Sequence, residues 1–233
     1  MTCHNIELSN KNLSRTTGLG YLIIILAGIT AEFFVRSQLI VWGDPSATAT
    51  NITVSEGLYR FGITLDMIML VFDLLVGVAL YFLLKPVSRT LALLSLMFRI
   101  VHTAVNGINL LNMIVPILII GGADYFSVFN NEQLNALIML FLNSHNYGYL
   151  IALVFFAFHC FILGYLIIKS GFIPKILGLL MILASLGYLI DSFAHFLMTN
   201  YNDYASIFLI IVALPAIIAE LSLALWLLFK GVK

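Results

Sequence analysis

Residues 90–120, TLALLSLMFRIVHTAVNGINLLNMIVPILII, decide the fold of this chain. At about 1.5 Å of rise per residue, a helix of this length is long enough to cross the roughly 30 Å of hydrocarbon in a bilayer. Arg99 is the single Lys, Arg, Asp or Glu in the run. A stretch this long and this apolar predicts a transmembrane helix.

The same stretch carries a polar stripe. Arg99, His102, Asn106 and Asn109 follow one another at i, i+3, i+7 and i+10, which places them on one face of a helix. Polar side chains at membrane depth avoid lipid. We therefore predict that this face is turned toward the other helices.

The composition of the whole chain indicates the same environment. Of the 233 residues, 62% are hydrophobic and 9% are charged, and the mean hydropathy is +1.08. So few charges cannot cover the surface of a soluble globule, which makes the lipid bilayer the expected solvent. The formal net charge of zero argues against a nucleic-acid partner.

Outward from residues 90–120, apolar runs of similar length predict six transmembrane helices. The runs cover approximately 19–41, 57–84, 90–120, 147–168, 173–198 and 204–229. Residues 1–18 are expected to form a polar tail, and 19–230 a single transmembrane domain. A short interfacial helix is predicted over 131–143, because its apolar residues recur on one face. The predicted fold class is all-α, a polytopic integral membrane bundle.

The basic residues between the runs predict the orientation. They fall in the tail, in alternate connections and at the C-terminus: Lys11, Arg15, Lys85, Arg89, Lys169, Lys175, Lys230 and Lys233. The other connections carry acidic residues instead. Because cytoplasmic loops are enriched in Lys and Arg, both termini are predicted to be cytoplasmic. The expected location is the cytoplasmic membrane of a prokaryote, as a multi-pass protein.

Ionisable residues also occur inside the predicted spans: Glu32, Arg36, Arg60, Asp66, Asp73, Arg99, Asp191 and Glu220. On insertion scales each charge costs about 2.5 to 3.5 kcal/mol at the membrane centre, so these side chains should pair inside the bundle. Glu32 and Arg36 are spaced i,i+4, which predicts one such pair. The same residues are also compatible with a purely structural role, as pairs that fix helix packing.

A rise of about 1.5 Å per residue places most of these groups in the outer half of the membrane. This distribution predicts a polar cavity open toward the outside, with a small polar ligand as its occupant. The candidate ligand-binding residues are Glu32, Arg36, Arg60, Asp66, Arg99, His102, Asn106, Asn109 and Asp191.

Three further residues suggest a metal site as an alternative. Asp191 and His195 are spaced i,i+4 near the outer end of one span, and His145 begins another at a similar depth. Two imidazoles and a carboxylate are a ligand set for zinc or iron, as in an intramembrane hydrolase. Haem is not expected, because His102 and His159 lie at different depths. The primary prediction includes no cofactor.

Several segments, in this order along the chain, resemble a known family: LGYL at 19–22, AEFFVR at 31–36, YRFG at 59–62, KPV at 85–87, FR at 98–99, VFF at 154–156, LGYL at 163–166, KSG at 169–171, IPKILG at 173–178 and GYLIDSF at 187–193. The family comprises the uncharacterised bacterial and archaeal membrane proteins grouped as domain of unknown function family 4386. The resemblance implies a six-span prokaryotic membrane domain and no known activity. It directs attention to Glu32, Arg36, Arg60, Arg99 and Asp191.

Three functional hypotheses follow from the sequence. The first is a transporter, channel or sensor-like protein that binds a small polar ligand in the outward cavity. The second is the metal-dependent hydrolase, and the third is an accessory membrane subunit without chemistry of its own. Neither the substrate nor the oligomeric state is indicated by the residues.

Overall fold

The computed structural model describes residues 3–232, which form helices and connecting turns with no strand. The helices are α1 (Cys3–Ile29), α2 (Ser37–Leu39), α3 (Pro45–Val54), α4 (Glu56–Leu84), α5 (Arg89–Ile120), α6 (Asn131–Ser170), α7 (Lys175–Leu197) and α8 (Ala205–Phe229). A π-helical segment, Thr30–Arg36, joins α1 to α2. Short 3-10 turns cover Asp124–Val128 and Tyr201–Tyr204.

Six helical segments in the described chain are long and apolar enough to cross a membrane: Asn10–Leu39, Glu56–Leu84, Arg89–Ile120, Asn131–Ser170, Lys175–Leu197 and Tyr201–Phe229. Their number and approximate limits confirm the predicted fold class. The cytoplasmic position of both termini stays a prediction from the basic residues.

The predicted polar tail belongs to the first helix. Hydroxyl side chains near its end bond to backbone carbonyls, which is compatible with a helix. Thr17 donates to the Leu13 carbonyl over 2.6 Å, and Ser14 donates to the Leu227 carbonyl of α8 over 3.2 Å. Helix α1 therefore continues without a break through residues that we expected to lie before the first span.

The loop after the first span contains a helix that we did not predict. Asp44 accepts a hydrogen bond from the Ala47 amide over 2.9 Å and Pro45 occupies the first turn of α3. An N-cap aspartate followed by proline is a helix-start pattern. The pair Asp44-Pro45, which follows the first predicted span, therefore begins α3.

The short helix predicted over 131–143 is not separate. Asn131–Ser170 form one continuous helix of 40 residues. No Gly or Pro interrupts residues 131–147, and the polar side chains at the expected break bond to the preceding turn. Asn143 donates to the Met139 carbonyl and Ser144 to the Leu140 carbonyl, each over 2.9 Å. Polarity alone therefore did not end the helix.

The chain divides into two compact units. The first comprises the described parts of Met1–Ile23, Phe72–Thr103 and Ile151–Lys233, and the second comprises Ile24–Val71 and Ala104–Leu150. The second unit has an apolar core that includes the buried residues Val35, Ile52, Tyr59, Met113, Ile138 and Leu142. Within it, Tyr59 donates its hydroxyl hydrogen to the Met113 carbonyl over 2.9 Å.

In the first unit, α6 and α7 approach each other at two glycines. A Cβ atom built on Gly164 would lie 2.5 Å from the Gly178 carbonyl oxygen, and one built on Gly178 would lie 2.5 Å from the Gly164 carbonyl oxygen. Such distances are too short for any side chain. The two backbones are therefore in direct contact, as small residues permit at helix interfaces in membranes.

Candidate functional site

Arg99 of α5 is the largest fully buried side chain in the first unit, with 1% of its surface exposed. Its guanidinium binds Asp73 of α4 twice. Nε donates to the Asp73 backbone carbonyl over 3.0 Å, and Nη2 donates to Asp73 Oδ1 over 2.6 Å. An ion pair held by two hydrogen bonds in this way is both strong and geometrically defined.

The third nitrogen of Arg99 is held by neutral side chains. Nη1 donates to the Tyr21 hydroxyl over 3.0 Å and lies 2.9 Å from His159 Nε2. Because arginine has no acceptor, Nε2 must accept this bond and carry no proton. The imidazole proton is therefore on Nδ1, which donates to the Ser95 carbonyl over 2.9 Å. His159 is neutral in this arrangement.

The second carboxylate oxygen of Asp73 is also occupied. Thr103 Oγ1 lies 2.5 Å from Asp73 Oδ2, and His102 Nδ1 lies 3.3 Å from the same atom. We call this group of buried side chains the Arg99 network: Tyr21, Asp73, Ser95, Arg99, His102, Thr103 and His159. Its central pair is electrically neutral and surrounded by hydrogen-bond partners.

Helical spacing and one glycine position the network. Ser95, Arg99 and Thr103 are four residues apart on α5, so they share one face. On α4, Gly77 lies one turn after Asp73, and a Cβ atom there would be 2.9 Å from Arg99 Cδ. Gly77 therefore leaves the space through which the Arg99 side chain reaches Asp73. Helical spacing predicted Arg99 and His102 as site residues, but it did not identify their partners Tyr21, Asp73, Ser95, Thr103 and His159.

A small pocket adjoins this network at Ser95 and His159. It has a volume of about 10 Å³, which is room for about one water molecule. Its lining includes Leu84 at the end of α4, Ala92 in the first turn of α5 and Leu166 near the end of α6. These helix ends carry basic residues and are predicted to be cytoplasmic.

This pocket lies toward the predicted cytoplasmic ends of the helices, and the cavity open toward the outside stays a prediction. Depth calculated from the rise per residue located Arg99 but could not show which side chains bind it. Its partners Asp73 and His159 lie nearer the predicted cytoplasmic ends of α4 and α6.

In the second unit, Arg36 joins two acidic side chains. Its Nε donates to Glu32 Oε2 and its Nη1 donates to Asp66 Oδ2, each over 2.7 Å. The structure thus contains the Glu32–Arg36 pair that the spacing predicts, and adds Asp66 to it. Glu32 and Arg36 both belong to the π-helical segment. Such segments are frequent at functional sites because they depart from regular helix geometry.

Arg60, another predicted ligand-binding residue, lies on the surface. It forms an ion pair with Glu56, one turn earlier on α4, at 2.6 Å. Its side chain is 57% exposed and that of Glu56 is 41% exposed. A pair this exposed contributes little to stability, and within the described chain it forms no part of the Arg36 group or the Arg99 network.

The two asparagines of the predicted stripe are buried in the second unit. Asn109 donates to the His145 carbonyl over 2.8 Å and accepts a hydrogen bond from Asn112 over 2.9 Å. A Cβ atom on Gly148 would lie 2.1 Å from Asn109 Oδ1, so Asn109 occupies the space beside that glycine. Asn109 therefore contributes to the packing of α5 against α6. Asn106 is 6% exposed.

The predicted metal ligands have other partners. The Tyr201 hydroxyl donates to Asp191 over 2.6 Å, and the His195 ring lies 4.2 Å from the Tyr201 ring. His145 Nδ1 lies 3.3 Å from the Asn109 carbonyl oxygen. Among the side chains that the structure describes, those of residues 10–232, no group of three or more from His, Cys, Asp and Glu is arranged to hold a metal ion.

Comparison with known sequences places the chain in a family. The sequence model described as "Domain of unknown function (DUF4386)" matches residues 16–231. The chain belongs to this family. It is also 32% identical over 166 residues to an uncharacterized protein of Archaeoglobus fulgidus, which covers 71% of this chain and 81% of the relative. No solved structure matches the chain.

One further acidic side chain of this DUF4386 protein was not among our predicted site residues. Glu220 of α8 accepts a hydrogen bond from the Tyr188 hydroxyl of α7 over 2.7 Å. It is the single charged residue in LIIVALPAIIAELSLALWLLF, residues 209–229. An isolated acid in such a run was a usable signal, because a charge at that depth is costly.

The chemistry that these groups allow is recognition of charge and transfer of protons. The buried guanidinium is a donor for oxygen ligands, and the imidazoles of His102 and His159 adjoin its ion pair. The DUF4386 match covers both units and assigns no activity to either.

Proposed function

We propose that this protein is a multi-pass membrane transporter for a small anionic or strongly polar solute, which binds at Arg99. The observation that carries the proposal is the composition of the Arg99 network. One side of the guanidinium is fixed by Asp73, and Nη1 is held by the neutral groups Tyr21 and His159.

Neutral partners are easier to exchange than charged ones. Removing Asp73 from Arg99 would leave a buried cation unpaired, which is strongly destabilising. Replacing the Tyr21 hydroxyl and His159 Nε2 by oxygen atoms of a solute would keep Nη1 fully hydrogen-bonded. The released imidazole of His159 could then accept a proton from water and balance the charge of an anionic solute.

The adjoining pocket supports an approach from the end of the bundle predicted to be cytoplasmic. It borders His159 and Ser95, the groups that would have to move for Nη1 to become accessible. In the described arrangement the pocket has room for about one water molecule. Binding of a larger solute therefore requires a second conformation, as expected for a transporter that alternates between states.

Thermal stabilisation of the purified protein tests solute binding. Small carboxylates and inorganic phosphate are added in turn, and unfolding is followed by intrinsic fluorescence. A ligand at about 100 times its dissociation constant adds about 2.7 kcal/mol to the stability of the form that binds it. Arg99→Lys should remove this stabilisation, because an ammonium lacks the planar arrangement of donors.

Arg60→Lys is the matched control and should leave the stabilisation unchanged. Flux of the stabilising solute into proteoliposomes then separates a transporter from a sensor that only binds. No stabilisation by any of the anions, or equal stabilisation of the Arg99→Lys variant, would contradict the proposal.

A further inference from the structure

Glu220 is an acid without a cation. It lies on α8 nine residues before Phe229, about 14 Å along the helix from that end. Its Oε1 atom accepts the Tyr188 hydroxyl hydrogen over 2.7 Å. No Lys, Arg or His side chain in the part of the chain described here forms an ion pair with it. The residue as a whole is half-buried.

A carboxylate at this depth with no cation beside it is unfavourable. Two states relieve the cost: the carboxyl group holds a proton, or it binds a cation. The Tyr188 hydroxyl already donates to Oε1, so Oε2 is the oxygen left to bind a proton or a cation. One available oxygen suits a proton, whereas a metal cation needs several oxygen ligands.

A second polar stripe connects this position to the end of α7. Tyr188, Asp191, Ser192 and His195 are spaced i, i+3, i+4 and i+7, so they lie on one face of that helix. The stripe rises about 10 Å from Tyr188 to His195, two residues before the helix ends at Leu197. It therefore extends from Glu220 toward the end of α7 that is predicted to face outward.

Ser192 in the middle of the stripe has an unusual environment. Its side chain is fully buried, with 0% exposed, and its hydroxyl has no hydrogen-bond partner among the described residues. Several other helical hydroxyls in this protein donate to a carbonyl one turn earlier, as those of Thr17 and Ser144 do. A buried hydroxyl that is not bonded to protein is suited to hold a water molecule.

We propose that Glu220 is an exchangeable proton-binding site, and that the Tyr188–His195 stripe of α7 connects it to the solvent. A proton from water binds to Oε2 of Glu220 while the Tyr188 hydroxyl keeps its own proton and donates to Oε1. Release returns the proton to water. Proton binding at Glu220 requires no solute, so it is independent of the proposed solute transport.

Other ionisable groups surround Glu220 within electrostatic range. They come from α1, α4, α5, α6 and α7: Tyr21, Asp73, Arg99, His102, Cys160 and Tyr188. The charges of Arg99 and Asp73 offset each other because the two side chains are paired at 2.6 Å. Glu220 is therefore the acid of this group whose negative charge is not offset by a paired cation.

Dicyclohexylcarbodiimide tests the protonated state, because this lipid-soluble reagent reacts with protonated carboxyl groups. The full-length protein in lipid vesicles is treated over a range of pH, and the modified residue is located by mass spectrometry. We expect modification of Glu220 that falls about tenfold for each pH unit above its midpoint. Asp73, paired with Arg99, should not be modified.

Two variants serve as controls for the label. Glu220→Gln should abolish the modification at residue 220, whereas Glu32→Gln should leave it unchanged. Tyr188→Phe retains the carboxyl group and loses the donor that favours its charged form. The midpoint should then rise by on the order of one pH unit. Absence of label on Glu220 at every pH, or a midpoint that does not rise in Tyr188→Phe, would overturn the assignment.

The route along α7 is tested separately by infrared spectroscopy. On transfer to D₂O, the carbonyl stretch of the Glu220 carboxyl group shifts as its proton exchanges. Ser192→Ala should slow this exchange at least several-fold and leave the final labelled fraction unaltered. An exchange rate equal to that of the unsubstituted protein would exclude Ser192 from the route. Failure of any of these tests leaves solute binding at Arg99 unaffected.

Discussion

At the scale of single residues, the main feature of the first unit is the ion pair between Arg99 and Asp73. Both charges are buried, and each is neutralised by the other. The side chains are 1% and 5% exposed, and the pair is bonded at 2.6 Å. Desolvating two charges is expensive, and the attraction between them offsets that cost only while both are present. The intact pair therefore contributes little net stability, whereas removing one partner leaves a buried charge uncompensated and is costly.

Removing one partner should destabilise the protein strongly. We expect Asp73→Asn to lower the free energy of unfolding by about 3 to 5 kcal/mol, because Arg99 is then a buried cation without a counter-charge. Unfolding in mixed micelles with increasing denaturing detergent, followed by circular dichroism, measures the change.

Glu56→Gln is the matched control, since it breaks an exposed Arg–Glu pair of similar length, 2.6 Å. Exposed pairs contribute about 0 to 1 kcal/mol, so this variant should unfold nearly as the original protein does. If Asp73→Asn and Glu56→Gln lowered the free energy of unfolding by similar amounts, burial would not explain the importance of the Arg99–Asp73 pair.

The sequence predicted which residues are polar and embedded but only some of the pairs. Glu32 and Arg36 were predictable because they lie on one helix at a fixed spacing. The Arg99–Asp73 pair joins residues 26 positions apart on different helices. Helical periodicity locates a face of one helix and does not identify the helix opposite it. The partners of Arg99 could therefore be found only from the structure.

At the scale of helices, α6 and α7 depend on a backbone contact between two glycines. We expect Gly164→Ala to destabilise the protein by about 1 to 3 kcal/mol, because the new methyl group would overlap the Gly178 carbonyl and separate the helices. The same detergent unfolding experiment measures the loss.

Gly57→Ala is the control for the intrinsic effect of alanine. A Cβ atom at Gly57 meets nothing within 4 Å, and the residue lies in the first turn of α4. Alanine there should be neutral or stabilise by up to about 1 kcal/mol, because it favours helix. A Gly164→Ala variant as stable as Gly57→Ala would contradict the close approach.

The number and limits of the spans were predictable at this scale because apolar length is a strong signal. Helices α4, α5, α7 and α8 begin and end within about two residues of the predicted runs. The errors occurred where polar residues continue a helix. In α1 and α6, hydroxyl and amide side chains bond to carbonyls of the preceding turn, so polarity did not indicate an end.

At the scale of the whole molecule, the alternation of basic and acidic connections predicts both termini in the cytoplasm. Cysteines introduced at exposed connection residues test this, in a protein whose natural Cys3 and Cys160 are replaced by Ala. In intact cells, a membrane-impermeant maleimide should label Ser46→Cys and Ser127→Cys. It should label Lys85→Cys and Lys169→Cys only after the cells are permeabilised. The reverse pattern would invert the topology.

The depth of Glu220 has an electrical consequence. The carboxyl group lies about 14 Å from one end of α8, which is close to half of a hydrocarbon layer of about 30 Å. A proton that reached it from the outer side would cross about half of the membrane potential, or about 1.2 kcal/mol per 100 mV. That energy equals nearly one pH unit. With the predicted orientation, the negative interior of a respiring cell would favour occupancy, so the site would respond to voltage much as it does to acidity.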